Sequence, residues 1–246
     1  MSGIVRLAIN GASGRMGRAL QELLRDDARF ELAVCINASS EWESAPQLDA
    51  VIDFSTPPGF DAALAYCRGH RVALVSGTTG LDARQRSALD AAGVDIPVLH
   101  AANFSLGVAV LARALRAAAA ALPDWDLEIL EAHHARKVDA PSGTALALGR
   151  VAAAARGQDF DAVAMRARDG QVGSRPQGTI GFASVRAGDI VGEHSAILAT
   201  AGERLELSHR ATDRTIFARG ALAAAAWLAG QPAGAYSLDD VLGAAA

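Results

Sequence analysis

Short apolar runs rich in β-branched residues alternate with longer stretches of helical period through the first half of the chain, a pattern that predicts a parallel sheet covered by helices. Strands are expected at Val5 to Asn10, Leu32 to Asn37, Ala50 to Phe54, Val72 to Ser76 and Pro97 to His100. Helices are expected between them at Arg15 to Arg25, Gly59 to Arg68 and Ala83 to Ala92, and most connections contain Gly, Pro, Asp or Ser. After Phe104 the character changes. An Ala-rich helix from Leu106 to Ala121 leads to a strand at Leu127 to His133, a polar loop containing Pro141, and a helix through Ala145 to Ala155. Strands then follow one another without helices, at Thr179 to Val185, Glu193 to Ala199 and Arg204 to Ser208, which predicts an open mixed sheet. A helix from Thr215 to Ala229 ends the pattern, with apolar residues suited to pack back on the first unit.

The 246 residues are 51% hydrophobic and 20% charged, the balance of a folded globular protein and not of a disordered one. A net charge of -4, with arginines spread along the chain, forms no basic stripe, so nucleic acid is not an expected partner. The longest apolar stretches, Ala117 to Leu122 and Ala221 to Ala229, are far shorter than the ~20 residues of a membrane-spanning helix. The start, Met1 to Arg6, does not read as a signal peptide, and a soluble protein is expected. Cys35 and Cys67, on a strand expected to be buried and on a helix, support neither a disulfide framework nor a thiolate metal site, and they fit a reducing cytoplasm.

Ile9-Asn10-Gly11-Ala12-Ser13-Gly14-Arg15-Met16-Gly17-Arg18 stands where a strand ends and a helix begins, the context that a dinucleotide-binding turn requires. Gly11 permits a tight turn, Gly14 lets backbone approach a pyrophosphate, and Gly17 lets helix and strand pack closely. Ser13 replaces the usual middle glycine, and a bland glycine turn is the competing reading. The second strand of such a unit is expected to end in an acid for the adenosine ribose, or to have a basic residue nearby for a 2′-phosphate. Here the chain reads Cys35-Ile36-Asn37-Ala38-Ser39-Ser40, so Asn37 holds the acid's place and a plain polar loop is the alternative. Without a carboxylate to repel a 2′-phosphate, use of both NADH and NADPH is expected.

The densest chemistry lies in Glu131-Ala132-His133-His134-Ala135-Arg136-Lys137-Val138-Asp139-Ala140-Pro141-Ser142-Gly143-Thr144-Ala145. Neighbours on a strand point to opposite faces, so His133 and His134 are expected to play different parts. Lys137 follows in the loop, and Ser142-Gly143-Thr144 opens a helix whose amides and hydroxyls suit a carboxylate. Paired histidines also ligate zinc, yet no further ligands stand at suitable spacing, so no metal is expected. Taken singly, Lys137 reads as a solvated loop lysine and Ser142 as a helix cap; their joint occurrence favours a functional site.

This string closely resembles the signature of the dihydrodipicolinate reductase family, and the resemblance extends over Gly11 to Arg18, Val51 to Ser55, Gly77 to Gly80, Ala101 to Ser105 and Gly178 to His194. It implies an α/β fold: a Rossmann-like parallel-sheet nucleotide domain from residues 1–105 and 214–246, and an α+β substrate-binding and tetramerisation domain, 106–213, with an open mixed sheet. It implies acid–base roles for His133 and Lys137, a substrate contact for His134, and a carboxylate grip by Ser142, Gly143 and Thr144. Gly11, Ala12, Ser13, Gly14, Arg15, Met16, Asn37, Phe54, Gly77, Thr78, Thr79, Ala101, Ala102, Asn103 and Phe104 are implied on the cofactor, with Thr79 also reaching substrate. The reaction implied is nicotinamide-dependent reduction of a small cyclic dicarboxylate in lysine biosynthesis, by a cytoplasmic homotetramer. The chain departs from the family at Asn37 and Ala38, and in a shorter stretch between the second strand and Asp49. Gly178 to Phe182 and Arg186 to Asp189 read physically as strand and turn, without catalysis, and His70, His100, His194 and His209 as structural. Two other classes share parts of the pattern: a Rossmann reductase of another small acid, which does not require the Lys137 to Thr144 string, and a noncatalytic nicotinamide sensor, which does not require His133 or Lys137.

Overall fold

The computed structural model describes residues 3–38, 40, 42 and 45–243. Along the chain the elements are β1 (Val5–Asn10), α1 (Arg15–Leu24), β2 (Phe30–Ile36), β3 (Ala50–Asp53), α2 (Pro57–His70), β4 (Ala73–Ser76), α3 (Ala83–Ala92) and β5 (Pro97–His100). There follow α4 (Leu106–Ala121), β6 (Asp126–His133), α5 (Gly143–Ala155), α6 (Phe160–Val163), β7 (Ala164–Met165), β8 (Ile180–Arg186), β9 (Gly192–Thr200) and β10 (Glu203–Ala211). The chain ends with α7 (Thr215–Leu228), β11 (Gly234–Tyr236) and α8 (Leu238–Val241). Two compact units result, one from Met1–Leu106 with Thr215–Ala246, the other from Gly107–Arg214.

The first unit is a parallel sheet in the order β11-β5-β4-β3-β1-β2. β3 and β4 are buried at every position, as continuous apolar strands are when helices cover both faces. Alternation sends Ala8, Val51, Leu74 and Val98 to one face, where they pack with Phe60 and Leu64 of α2 and Leu89 of α3. The intervening residues face α7, which lies beside α1 and against β3, β4 and β5. α7 presents Ala218, Gly220, Ala221, Ala224 and Ala225 there, and any Cβ on Gly220 would collide with the carbonyl of Phe104. The small residues are what let this helix approach so closely.

Five strands were expected in this unit and six are present. β11 pairs parallel with β5 through Gly234–Pro97, Ala235–Val98 and Tyr236–Leu99. β2 begins at Phe30 and ends at Ile36, so Asn37 lies in the loop after it. Because β2 is the sheet's edge, Cys35 is half-buried and not in the core, while Cys67 is fully buried in α2. Ser39 and part of the shortened stretch before Asp49 lie outside the described residues.

The second unit is an open mixed sheet in the order β10-β9-β6-β8-β7, with β6 parallel to β8 and antiparallel to β9. One face buries Leu127, Ile129, Ile180, Phe182, Ala196 and Leu198 against Leu111 and Leu115 of α4 and Ala145, Leu148 and Ala152 of α5. Each large side chain removed from water there contributes on the order of 1.5–3 kcal/mol. On the opposite face Leu130 and Val185 remain exposed, while Leu205, on the edge strand β10 and paired with Leu198, is exposed on the core side.

Candidate active site

The carboxyl ends of β1 to β5 carry the residues expected to meet a nucleotide. Gly11 has φ 83, a conformation natural to glycine, and a Cβ there would run into the Phe54 carbonyl. A Cβ on Gly17 would strike the backbone of Gly11 and Ala12, so the helix presses directly on the turn. The amides of the turn are already used. Gly11 N and Ala12 N donate to Ile36 O at 2.9 and 3.2 Å, Ser13 N to Asn37 Oδ1 at 2.9 Å, and Gly14 N to Gly11 O at 3.0 Å. The donors left facing outward are therefore those of the first turn of α1, beginning at Arg15 and Met16, and no side chain caps this helix. An uncapped helix start behind a bare glycine turn fits a pyrophosphate.

Beneath this edge Asp53 is fully buried. Its oxygens accept from Asn10 Nδ2 at 2.9 Å, Ser55 N at 3.2 Å, Ser55 Oγ at 2.5 Å, Ser76 Oγ at 2.7 Å and Thr78 Oγ1 at 2.8 Å. The carboxylate thereby ties together the ends of β1, β3 and β4. Thr78 is buried with its hydroxyl committed, which leaves Thr79 as the exposed hydroxyl of Gly77-Thr78-Thr79-Gly80. Phe54 packs edge-on against Phe104 at 5.5 Å, and Gly77 must lack a side chain because Phe54's ring occupies its place. A cavity of about 480 Å³ opens over Gly11, Gly14, Asn37, Trp42, Phe54 and Thr56, and its described lining residues include neither carboxylate nor cation.

In the second unit the buried rows of two strands turn polar at one end. β6 runs Leu127, Ile129, Glu131, His133 along one face, and β9 runs Leu198, Ala196, His194, Gly192 beside it, with Glu131 directly opposite His194. Glu131 Oε2 accepts from His133 Nδ1 at 2.6 Å and Arg186 Nη1 at 2.8 Å; Oε1 accepts from Arg186 Nη2 at 2.7 Å and Ser142 N at 3.1 Å. Burial acts to raise the Glu131 carboxyl, but bonds from Arg186, Ser184 and His133 together with the Arg186 charge outweigh it and hold the group at about 2. His194 lies edge-on to His133 at 5.2 Å, with Nε2 3.2 Å from Ser142 Oγ. Burial first, then the neighbouring His133, pushes His194 down to about 4, so its ring is neutral at physiological pH.

Ser142 caps α5 by accepting from Ala145 N at 3.1 Å, and it is buried with both its amide and its hydroxyl committed. Gly143, the first helical residue, is exposed. Lys137 donates to both oxygens of Asp139, at 2.7 and 2.9 Å, and this bond is the main cause holding the Asp139 carboxyl low. Arg186 also donates to Asp139 O at 2.6 Å, which latches the loop between His133 and α5.

The family model described as dihydrodipicolinate reductase, N-terminus, matches residues 5–104, and that described as dihydrodipicolinate reductase, C-terminus, matches residues 107–242. The chain belongs to the dihydrodipicolinate reductase family. Two relatives named 4-hydroxy-tetrahydrodipicolinate reductase, from Pseudomonas fluorescens strains Pf-5 and Pf0-1, are each 44% identical, over 96% and 97% of this chain and 98% of their own length. A solved dihydrodipicolinate reductase from Paenisporosarcina sp. TG-14, with dipicolinate bound, shares the fold at a TM-score of 0.79 and 22% identity, covering 96% of this chain and 99% of that one. The diaminopimelate dehydrogenase of C. glutamicum is more distant, with a TM-score of 0.56 and 15% identity over 98% of this chain and 94% of that one.

Within this reductase the residues singled out from sequence divide between the units. Gly11 to Met16, Asn37, Phe54, Gly77 to Thr79 and Ala101 to Phe104 all follow strand ends of the first unit; His133, His134, Lys137, Ser142, Gly143 and Thr144 cluster in the second. Three residues at the polar end were left without a role by sequence reasoning: Glu131, Arg186 and His194. His194, read from sequence as structural, is buried beside His133 and Ser142. The signal was present in the alternation, since a buried row that continues Leu127, Ile129, Glu131 places a carboxylate where an apolar residue is due.

Proposed function

We propose that this chain uses NADH or NADPH to reduce 4-hydroxy-tetrahydrodipicolinate, through the cyclic imine formed as it loses water, to tetrahydrodipicolinate in the diaminopimelate route to lysine. The observation that carries the reading is the pairing of His133 with a buried carboxylate beside Lys137 and the start of α5, in a chain of this family. The first unit holds the nucleotide and the second the substrate. The bound cofactor supplies hydride. The first turn of α1 receives the pyrophosphate, and the uncharged lining near Asn37 tolerates a ribose with or without a 2′-phosphate. Thr79, Ala101, Ala102, Asn103 and Phe104 line the nicotinamide end.

Gly143 and Thr144 hold one substrate carboxylate at the helix start, with Ser142 fixing that start from beneath. Lys137 gives up Asp139 in part to meet the carboxylate, and His134 adds a contact. His133 protonates the developing enamine. The exposed Leu130 and Val185, on the sheet face away from α4 and α5, support assembly of the mixed sheets into a homotetramer, which light scattering tests; a monomer would remove that assignment. Free Cys35 and Cys67, with no described helix long and apolar enough to cross a membrane, accord with a cytoplasmic enzyme. Loss of nicotinamide absorbance with freshly made 4-hydroxy-tetrahydrodipicolinate tests the activity. Turnover is expected with both cofactors, and cofactor binding without turnover would overturn the proposal.

A further inference from the structure

Glu131 does not itself reach toward solvent, yet three parts of the second unit's polar end are fastened to it. An ionised carboxylate accepts hydrogen bonds and cannot donate them. Of its other partners, the Arg186 guanidinium and the Ser142 amide are permanent donors, and the Ser184 hydroxyl turns its hydrogen toward it. The His133 atom that faces it, Nδ1, must therefore carry hydrogen, which leaves Nε2 as the basic atom of the neutral ring. On the other side of the ring is Gly192. A Cβ there would stand 3.1 Å from Nε2, so bare backbone is what keeps that atom uncrowded.

We infer that Glu131, anchored by Arg186, is a positioning residue that fixes His133 in the Nδ1–H tautomer and locks it to the opening of α5, so that Nε2 is the atom that delivers the proton. The direction of transfer rests on the reductase reading; the tautomer does not. In the step, the Nε2–H bond of the imidazolium breaks as its proton forms a C–H bond with the enamine left by hydride addition. The ring is then neutral with hydrogen on Nδ1, the form the Glu131 carboxylate stabilises. Arg186 keeps the carboxylate from taking that hydrogen, and the Glu131–Ser142 bond holds the carboxylate-gripping turn at a set distance from the ring.

Nitrogen NMR of the histidine-labelled full-length protein, at a pH where the ring is neutral, reads the tautomer directly, with His133→Gln supplying the assignment. The expected result is an Nδ1–H ring in the unaltered protein and a shift toward Nε2–H in Glu131→Gln, whose kcat falls about 10²-fold while cofactor affinity holds. An Nε2–H ring in the unaltered protein overturns the inference, as does a Glu131→Gln protein that keeps the Nδ1–H ring or full turnover. Gly192→Ala leaves Glu131 and Arg186 intact and crowds Nε2 alone. It is expected to lower kcat roughly tenfold with the tautomer unchanged, and undiminished turnover there removes Nε2 as the delivering atom. An Nδ1–H ring without turnover in the unaltered protein would sink the reductase reading and leave the tautomer assignment standing.

Discussion

Each unit buries one carboxylate near the carboxyl end of an inner strand, Asp53 on β3 and Glu131 on β6, and surrounds it differently. Asp53 is bonded by two amide groups and three hydroxyls, all neutral, from the last residues of β1 and β4 and from the loops after β3 and β4. Glu131 is bonded by a guanidinium, an imidazole, one amide and the Ser184 hydroxyl. The difference separates two tasks. Neutral donors make a rigid seat beside the glycine turn and bring no charge of their own, so in the proposed function anion reception falls to the α1 amides. A charged partner set leaves the second carboxylate ionised next to the ring that the proposed function has gain and lose a proton.

If the division is right, damage on the two sides separates kinetically. His133→Gln or Lys137→Ala lowers kcat by about 10²- to 10⁴-fold while the cofactor dissociation constant, read by fluorescence titration, stays nearly unchanged. A matching loss of cofactor affinity would break the comparison. Asp53→Ala removes the acceptor shared by Asn10, Ser76 and Thr78 and should cost about 3 kcal/mol of stability in urea, since each stranded buried donor costs ~1–3 kcal/mol.

Acid sharpens the contrast through the second unit. His194 is depressed from 6.5 to about 4, so the unfolded chain binds a proton that the folded one refuses, and stability is full above 6.5 and lost as pH falls toward 4. Glu131 is depressed from 4.5 to about 2; its contribution is present above 4.5 and lost as pH falls through 2. Each step is on the order of 3 kcal/mol. Urea midpoints should hold above pH 6.5 and fall from there to pH 3, and His194→Asn should flatten the upper part of that fall alone.

Smaller effects are expected where the loops meet solvent. Asn37→Asp keeps an oxygen for Ser13 N but adds a charge to a neutral cavity, and should raise KM for NADPH about tenfold with KM for NADH little changed. Asp139→Asn loosens an exposed partner of Lys137 and should lower substrate KM only two- to threefold, as roughly 0.2–1 kcal/mol for such a pair implies.

Local pattern carried most of this architecture. β1 and β5 begin and end where the periodicity puts them, because both are apolar runs bounded by turn residues. β11 escaped, since the three residues Gly234–Tyr236 hold no period, and its strand character exists only in the pairing with Pro97 to Leu99. The glycine turn and the His133 to Thr144 string were legible as chemistry. That Asn37 would bond the glycine turn, or that Ser142 would face inward, was not: both depend on which donors remain after distant segments have met. Asp53 is the extreme case, since nothing in Val51-Ile52-Asp53-Phe54-Ser55 names its partners.

The placement of α7 has a consequence for biosynthesis. The helix that covers one side of β3, β4 and β5 is encoded after the whole second unit, so a ribosome exposes that apolar surface while it makes residues 107–214. At ~5–20 residues per second the interval lasts several seconds to about 20 s, long enough for the inserted unit to collapse on its own and for a chaperone to shield its unfinished host.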